Sequence, residues 1–553
     1  MKIMNKIKNS IIIALTLVFA LVISCKDLDT LNINPNGVDP KSADLNLLMP
    51  TITTTLGLTV IDLGFGNIAG VMQHTQLTGW SSGHNAYYWD NTSNSWSDYY
   101  GILRNVDEYY KKAVEGGYEF HQGVALIMKA YTFGLITDLW GDAPYTDALK
   151  AEQGAENFKP VFDPQKDIYT GILADLESAN TLLSKNGSLY KNIDPKQDVV
   201  YHGDVTKWRK FANSLALRYY MRLSKKEPLI AEQGIKKIAS DPAKYPLILV
   251  AADDANISYI GKSTVDSWPS NTVFDISATG TYLRKKLCST LVEALQKLND
   301  PRLGVWANKV EIPLVLVTGT NVDRIVNGKR EISIDKATSF ELLYKVTINY
   351  NPQYVGIPPA SNASTIYNLT PNGAQGSYNP HVSQLNDIYK ATSGPLLLMR
   401  LMSAAEVNFV LSEAALYGWV SGTPQSLYNA GVQQSLTAWG VGSAYGTYIT
   451  GAPYSGLESI INQKWIASWT AAAESWFDYR RTGLPVLKTG DAAKRAALPL
   501  RYYYHFDNEI SKNTVNANAA ISKLEPTQYK GDDVSNNSAW SKMWLLQGTG
   551  YPY

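Results

Sequence analysis

The chain has 553 residues, of which 45% are hydrophobic, enough apolar material for a large core. Lysine and arginine number 50 and aspartate and glutamate 49, so a net charge of +1 argues against a nucleic-acid binder, which needs a basic surface. Tyrosine is abundant, at 35 residues against 12 phenylalanines, and rings with a polar tip suit binding surfaces as well as cores.

The first residues predict a secretory signal. Lysines precede an apolar run over residues 11–23, which is shorter than the roughly 20 residues that span a bilayer as a helix. The segment Val22-Ile23-Ser24-Cys25 resembles a bacterial lipobox, which implies that Cys25 becomes the lipidated first residue. An incidental cysteine after an ordinary signal peptide is the alternative, disfavoured because Cys288 is the only other cysteine.

We therefore predict three segments: a signal peptide over 1–24, a lipidated tether over 25–43 and a single domain over 44–553. The tether is rich in Asn, Pro and Gly, which favour turns in an extended chain. Its acidic residues Asp27 and Asp29 resemble the export signal that carries lipoproteins to the cell surface in Bacteroidota.

Helical periodicity recurs along the rest of the chain. Residues 204–223 place large apolar side chains at steps of three and four, with Asp204 as the N-cap. Residues 124–140 are apolar almost all round, as in a helix packed on several sides. Residues 397–419 and 424–439 predict a tetratricopeptide-type helix hairpin with small residues at the contact, although no strict 34-residue period recurs.

These patterns predict a mainly α fold whose helical scaffold lies mainly in 97–250 and 395–480. Loop-rich excursions are expected over 79–96, 260–280 and 310–392, and loops of such length are usually functional. Strand-like alternation in 310–317 and 330–334 is too short for a main sheet.

A search for catalytic motifs favours no enzyme. Gly79-Trp80-Ser81-Ser82-Gly83 matches G-x-S-x-G, but the residues that follow do not predict the required helix. The histidines show no metal-ligand spacing and Cys288 has no partner for zinc, so we expect neither metal nor cofactor. Paired carboxylates could act as acid and base, but ion pairing between helices is the more frequent role of such groups; they are Glu406 with Glu413, and Glu474 with Asp478 beside Arg480 and Arg481.

One aromatic segment, residues 80–100, favours binding. Aromatic faces stack on sugar rings, and the interleaved Ser, Asn and Asp side chains can bind hydroxyls. We expect Trp80, Tyr87, Tyr88 and Trp89 to be exposed, whereas Trp96, Tyr99 and Tyr100 begin the next helix and pack. For the more isolated rings, Trp268 and Tyr354, both packing in the core and ligand binding remain open. The ligand-binding candidates are Trp80, Tyr87, Tyr88, Trp89, Trp96, Trp268 and Tyr354.

Six motifs in chain order resemble the SusD/RagB family of outer-membrane nutrient-binding lipoproteins. They cover essentially all of the mature chain, and only the C-terminal Ala539–Trp544 departs from the family's ending. The motifs are Leu31–Asn36, Trp140–Tyr145, Trp208–Leu215, Asn299–Arg302, Ala405–Phe409 with Ser412–Ala415, and Gln463–Trp465 with Trp476–Pro485.

The resemblance implies a SusD-like fold in which divergent tetratricopeptide-type hairpins form an α-α superhelical scaffold beside a loop-rich ligand-binding part with minor β structure. It implies a lipid-anchored protein of the outer membrane, facing the cell surface, that delivers an oligosaccharide or polysaccharide to a SusC-like TonB-dependent transporter. Peptide binding, or a ligand-free role as the transporter's lid, stays open. Under this resemblance the scaffold residues are Trp208, Asn213, Glu406, Glu413 and Arg481.

Overall fold

The computed structural model describes residues 44–79, 82–277, 280–370 and 378–553, and every structural statement below concerns those residues. The predicted signal peptide, Cys25, the tether, Trp80 and Ser81 lie outside them.

Eighteen α-helices dominate the described part of the chain. The first half contains α1 Leu45–Phe65, α2 Asn67–Val71, α3 Ser82–Asn85, α4 Ser97–Glu115, α5 Glu119–Trp140, α6 Gln165–Leu182, α7 Val205–Leu223 and α8 Pro228–Ser240. The second half contains α9 Thr281–Arg284, α10 Ser289–Lys297, α11 Leu303–Trp306, α12 Ile334–Tyr344, α13 Ala404–Leu416, α14 Pro424–Ala438, α15 Tyr445–Gly451, α16 Leu457–Ala467, α17 Ala472–Thr482 and α18 Thr514–Ser522.

Short strands form four small sheets in the same residues. The strands are β1 Thr75–Leu77, β2 Ala255–Ser258, β3 Lys285–Leu287, β4 Leu314–Val317, β5 Asp323–Val326, β6 Lys329–Ser333, β7 Leu398–Met402, β8 Glu525–Pro526 and β9 Ser541–Lys542. Antiparallel pairs join β1 to β3, β2 to β7 and β8 to β9, and a mixed sheet has the order β4-β6-β5. The mainly α fold with minor β structure is thus confirmed.

Consecutive helices pack as antiparallel hairpins. Helix α5 lies between α4 and α6, and α7 packs against both α6 and α8. The second group is centred on α13, which contacts α14, α16 and α7. Helix α1 is apolar enough to cross a membrane by length and composition, but it packs against α4, β7 and α17, as a core helix does.

Local sequence signals explain where several helices begin and end. The Asp204 carboxylate accepts a hydrogen bond from the Lys207 amide at 3.0 Å, so α7 begins where its N-cap predicts. Gly141, at φ +98°, ends α5, because that backbone region favours glycine. The hairpin expected over 397–439 is confirmed from Ala404 onward, but residues 398–402 form β7 because they pair with β2.

Buried charged side chains join five helices through ion pairs. Arg218 of α7 donates two hydrogen bonds to the Glu406 carboxylate of α13, both at 2.7 Å. Arg222, about one turn further along α7, pairs with Glu474 of α17 at 2.6 Å and with Asp138 of α5 at 3.4 Å. Because an unpaired charge in a protein interior is costly, these contacts require the helices to keep their relative positions.

A second group of pairs continues the network at the C-terminal end of α17. Arg481 lies 2.7 Å from a Glu413 oxygen of α13 and 3.0 Å from Asp478, and Lys464 of α16 lies 2.8 Å from the same Asp478 carboxylate. Burial alone would raise the pKa of Asp478, but Lys464 and Arg481 more than offset it and hold that pKa below its usual range. The ion-pair interpretation of Glu406 and Glu413 is confirmed.

We predict that Arg481→Met lowers the free energy of unfolding by about 3–5 kcal/mol, because it leaves Glu413 buried without its cation. The matched control is Lys185→Met, which removes an exposed pair with Glu119 and should cost less than about 1 kcal/mol. Urea unfolding of both variants measures the difference. Equal losses would contradict a role for the buried network.

Candidate functional site

Most of the aromatic side chains predicted to bind ligand are buried. The Trp89 ring is 1% exposed, packs against Trp476 and Tyr502, and its indole N–H donates to the Gly83 carbonyl at 2.9 Å. Tyr87 is 0% exposed. The expected exposure of Tyr87 and Trp89 is therefore wrong, because their rings complete the core beneath the loop and have no face left for a sugar.

Two further candidates, Trp96 and Trp268, are buried as well. The expected packing of Trp96 is confirmed, since its ring lies against Trp140, Phe162 and Tyr504. Trp268 is fully buried among Phe65, Tyr259 and Tyr389. A fully buried ring cannot stack on a ligand, so Trp268 is a core residue in this structure. Tyr88, Tyr354 and Trp80, which lies outside the described residues, therefore remain candidates.

Tyr88 is 53% exposed, as expected, and Tyr354 is half-buried, with a pKa raised by that burial. Tyr87, next to Tyr88, has φ +60°, in the left-handed region that non-glycine residues seldom adopt. Such backbone strain is concentrated at functional loops, so it is consistent with a binding role for this loop.

A cleft of about 1110 Å³ lies between α1 and α4, and we call it the α1–α4 cleft. Its wall also includes Ser93, Asn94 and Ser95 from the end of the aromatic loop, and Leu149, Ala151 and Glu152. A cleft of this size lies at the upper end of the roughly 300–1,000 Å³ that small-ligand pockets span, and it can hold several sugar rings. The sequence motifs did not indicate it, because its residues come from five separate stretches of the chain.

Aromatic rings form the base of the α1–α4 cleft. The centroids of the Tyr99 and Trp140 rings lie 5.4 Å apart and those of Trp140 and Tyr502 5.3 Å apart, both edge to face. Tyr99 is 7% exposed and Tyr502 3% exposed. Neither hydroxyl has a hydrogen-bond partner among the described residues, although both line the cleft. Because both hydroxyls open on the cleft and bond to no described residue, they are free to bond to a ligand that enters it.

Carboxylates lie beside these hydroxyls. Burial raises the pKa of Tyr99 well above its usual value, and the neighbouring Tyr502, Asp62 and Asp98 raise it further. Asp62 is exposed to the cleft, and desolvation raises the pKa of its carboxyl, an effect that Lys285 opposes. No described residue forms an ion pair with Asp62 or Asp98. The base of the cleft thus offers two hydroxyls and two carboxylates without protein partners.

A second cleft, of about 690 Å³, is the Tyr378 cleft, named after an exposed tyrosine on its wall. Several of its polar groups already have protein partners. The Tyr378 hydroxyl donates to Glu311, and Asp387 accepts from Asn308 and pairs with Lys390, both at 2.9 Å. Two of its edges border undescribed residues. The α1–α4 cleft is therefore the stronger candidate.

The carboxylates considered as possible catalytic groups form ion pairs in the structure. The Glu406 carboxylate accepts from Arg218 and the Glu413 carboxylate from Arg481. Ser81 lies outside the described residues. Burial raises the pKa of the Cys288 thiol to about 12 and lowers those of His74 and His84 to about 3. No group of three His, Cys, Asp or Glu side chains in the described ranges could hold a metal ion.

A family model described as starch-binding and associating with the outer membrane matches residues 40–333 and 344–505. The chain belongs to the SusD-like family. The residues between the two matched ranges, 334–343, form most of α12. A search of curated proteins found no match for this SusD-like chain.

Solved SusD-like structures share the fold. A SusD homologue from Bacteroides fragilis superposes with a TM-score of 0.67 at 22% identity, covering 91% of this chain and 99% of that one. A chitin-binding SusD homologue from Flavobacterium johnsoniae gives 0.64 at 19% identity, covering 90% and 99%. A homologue from Bacteroides ovatus gives 0.67 at 19%, covering 92% and 99%. The family description supports association of this SusD-like protein with the outer membrane.

Two buried lysines of β3, Lys285 and Lys286, lead us to expect that stability depends on pH. The Lys285 ammonium donates to the Phe65 carbonyl and lies 3.8 Å from the centroid of the Phe65 ring. The Lys286 ammonium donates to the Leu283 carbonyl and to the Gln384 side-chain oxygen. Burial lowers both pKa values to about 7 from 10.5. Between those values the unfolded chain binds more protons than the folded one, so the free energy of unfolding rises with pH.

We predict that Lys285→Met reduces this rise between pH 7 and 10.5, and that the double variant with Lys286→Met reduces it further. Denaturant unfolding across this range measures the slope. The control is Lys309→Met, an exposed lysine, which should leave the slope unchanged. Parallel curves for wild type and double variant would contradict the prediction.

Proposed function

We propose that this SusD-like protein is a surface lipoprotein that binds a nutrient glycan in the α1–α4 cleft and delivers it to a SusC-like TonB-dependent transporter. The observation that carries the binding step is that two mostly buried tyrosines, Tyr99 and Tyr502, present to the cleft hydroxyls that have no partner among the described residues. Family membership makes a glycan the first ligand class to consider, and some solved homologues are described as chitin-binding.

The chemistry of the cleft suits a polyhydroxylated ligand. Sugar hydroxyls both donate and accept hydrogen bonds, and the wall offers both kinds of partner. Asp62 and Asp98 accept, whereas the amides of Asn67, Asn94 and Asn105 can donate. Apolar surface from α1 and α4 lies between these groups, so one face of a sugar ring can be desolvated while its hydroxyls are bound.

The N-terminal sequence supports the anchored part of the proposal. The apolar run ending before Cys25 and the turn-rich tether up to residue 43 precede the point at which the described fold begins, at Asp44. A lipid on Cys25 would hold the folded part at a membrane surface, beside a partner embedded in that membrane.

We predict that Tyr99→Phe and Tyr502→Phe each weaken glycan binding by about threefold to tenfold, because each removes one hydrogen bond to the ligand. The melting temperature should stay unchanged, since neither hydroxyl bonds to the described protein. Calorimetry with the chain from residue 26 onward, against a panel of neutral, acidic and amino glycans, measures the affinities. Tyr529→Phe, a half-buried tyrosine outside the cleft and not among the ligand-binding candidates, is the matched control.

Tyr88→Ala tests the remaining exposed candidate of the aromatic loop in the same assay. Loss of binding in Tyr88→Ala, with both phenylalanine variants intact, would move the site from the α1–α4 cleft to the loop. Binding to peptide mixtures with no response to any glycan would contradict the glycan proposal and favour the peptide alternative.

A further inference from the structure

The side chains that line the α1–α4 cleft carry more negative than positive charge. Two cations face five carboxylates, although the protein as a whole is nearly neutral. The cations are Arg104 and Lys111, and the carboxylates are Asp62, Asp98, Asp107, Glu108 and Glu152. A concave wall with one dominant sign of charge focuses its potential on the ligand that enters.

The charges are compensated at one end of the cleft only. Lys111 lies 2.6 Å from Asp107, and Lys112, just outside the wall, lies 3.8 Å from Glu108. The pKa of Lys111 is raised, first by its hydrogen bond to Asp107 and then by the charges of Glu108 and Glu152. These acids therefore already share cations of α4, and a ligand gains little from them.

At the other end, Asp62 and Asp98 have no ion-pair partner among the described residues. Lys285 is the cation whose charge lowers the pKa of the Asp62 carboxyl. It lies behind the wall of the cleft and donates to the Phe65 carbonyl. Burial disfavours the charged form of Lys285, so it compensates Asp62 only in part. Arg104 is the one lining cation without an ion pair in the described ranges.

These acids lie beside the unpartnered Tyr99 and Tyr502 hydroxyls, whose rings are more than nine-tenths buried. An ammonium group matches this arrangement, since it donates three hydrogen bonds and compensates the carboxylates. An acetylated nitrogen carries no charge and donates one. A carboxylated or sulfated sugar would place like charges together in a partly desolvated site, which is unfavourable.

We propose that the α1–α4 cleft prefers glycans whose sugars carry free amino groups over the N-acetylated forms of the same sugars, and rejects anionic glycans. This inference rests on the proposed function, because it names the ligand class of the same site. Asp62 and Asp98 are its specificity-determining residues, with Tyr99 and Tyr502 as neutral hydrogen-bond partners.

Calorimetry with oligomers of glucosamine, of N-acetylglucosamine and of galacturonic acid, matched in length, tests the preference. At mildly acidic pH, where the amines are protonated, the glucosamine oligomer should bind at least about tenfold more tightly than its acetylated form, and galacturonate should not bind. Added salt should weaken only the glucosamine interaction, because screening reduces the charge contribution.

Variants that remove single charges should change the affinity for glucosamine in opposite directions. Asp62→Asn and Asp98→Asn should each weaken glucosamine binding by about threefold to tenfold and leave binding of the acetylated oligomer unchanged. Arg104→Gln, which removes the competing cation, should strengthen it. Asp491→Asn removes an exposed carboxylate outside the cleft wall and should change neither affinity.

The possible failures are distinguishable. Equal affinity for the acetylated and free-amine oligomers, or unchanged binding in both aspartate variants, would overturn the charge preference while glycan binding itself stands. Binding of a lysine-rich peptide without any glucosamine binding would also overturn it, by assigning the acidic wall to a basic peptide. If no glycan bound, both the proposed function and this inference would be wrong.

Discussion

The pairing of buried charges between helices is the constraint on which the rest of this structure depends. Arg218, Arg222 and Arg481 each need a carboxylate from another helix, and α5, α13, α16 and α17 supply the partners or further cations. Hydrophobic packing alone tolerates small shifts between helices, whereas a bidentate contact such as Arg218 with Glu406 does not. The hairpins are thereby fixed in one arrangement.

This network extends directly to the base of the α1–α4 cleft. Arg480, next to Arg481 on α17, donates to the Asp138 carbonyl at 2.6 Å and to the Leu500 carbonyl at 2.8 Å. Two residues beyond Leu500, the Tyr502 amide donates to the Leu139 carbonyl at 2.7 Å. The end of α5 and the segment that carries Tyr502 are thus held together by scaffold contacts, so the tyrosine hydroxyl is positioned before any ligand arrives. Preorganisation of this kind reduces the entropy lost on binding.

The fold could be predicted from the sequence to a large extent, because helix caps and apolar periodicity are local signals. Asp204 marks the start of α7, and the paired acids of α13 and α17 indicated ion pairs between helices. The strand β7 could not be predicted, since residues 398–402 become a strand only by pairing with β2, almost 150 residues earlier in the chain. Local patterns contain no information on such a partner.

The candidate site was much less predictable for the same reason. A cluster of aromatic residues in a loop has the same appearance in sequence whether its rings face solvent or fill a core, and here Trp89 joins Trp476 and Tyr502 in the interior. The cleft instead combines Asp62, Tyr99 and Tyr502, which are far apart in the chain. Only the absence of a protein partner for each hydroxyl identifies them, and that property exists only in three dimensions.

The most direct test of this account is a crystal structure of the chain from residue 26 onward with the tightest-binding oligosaccharide of the panel. The account predicts sugar density in the α1–α4 cleft, with ligand atoms within hydrogen-bond distance of the Tyr99 and Tyr502 hydroxyls and of Asp62 or Asp98. Sugar bound in the Tyr378 cleft or against Tyr88, with the α1–α4 cleft holding only water, would contradict it.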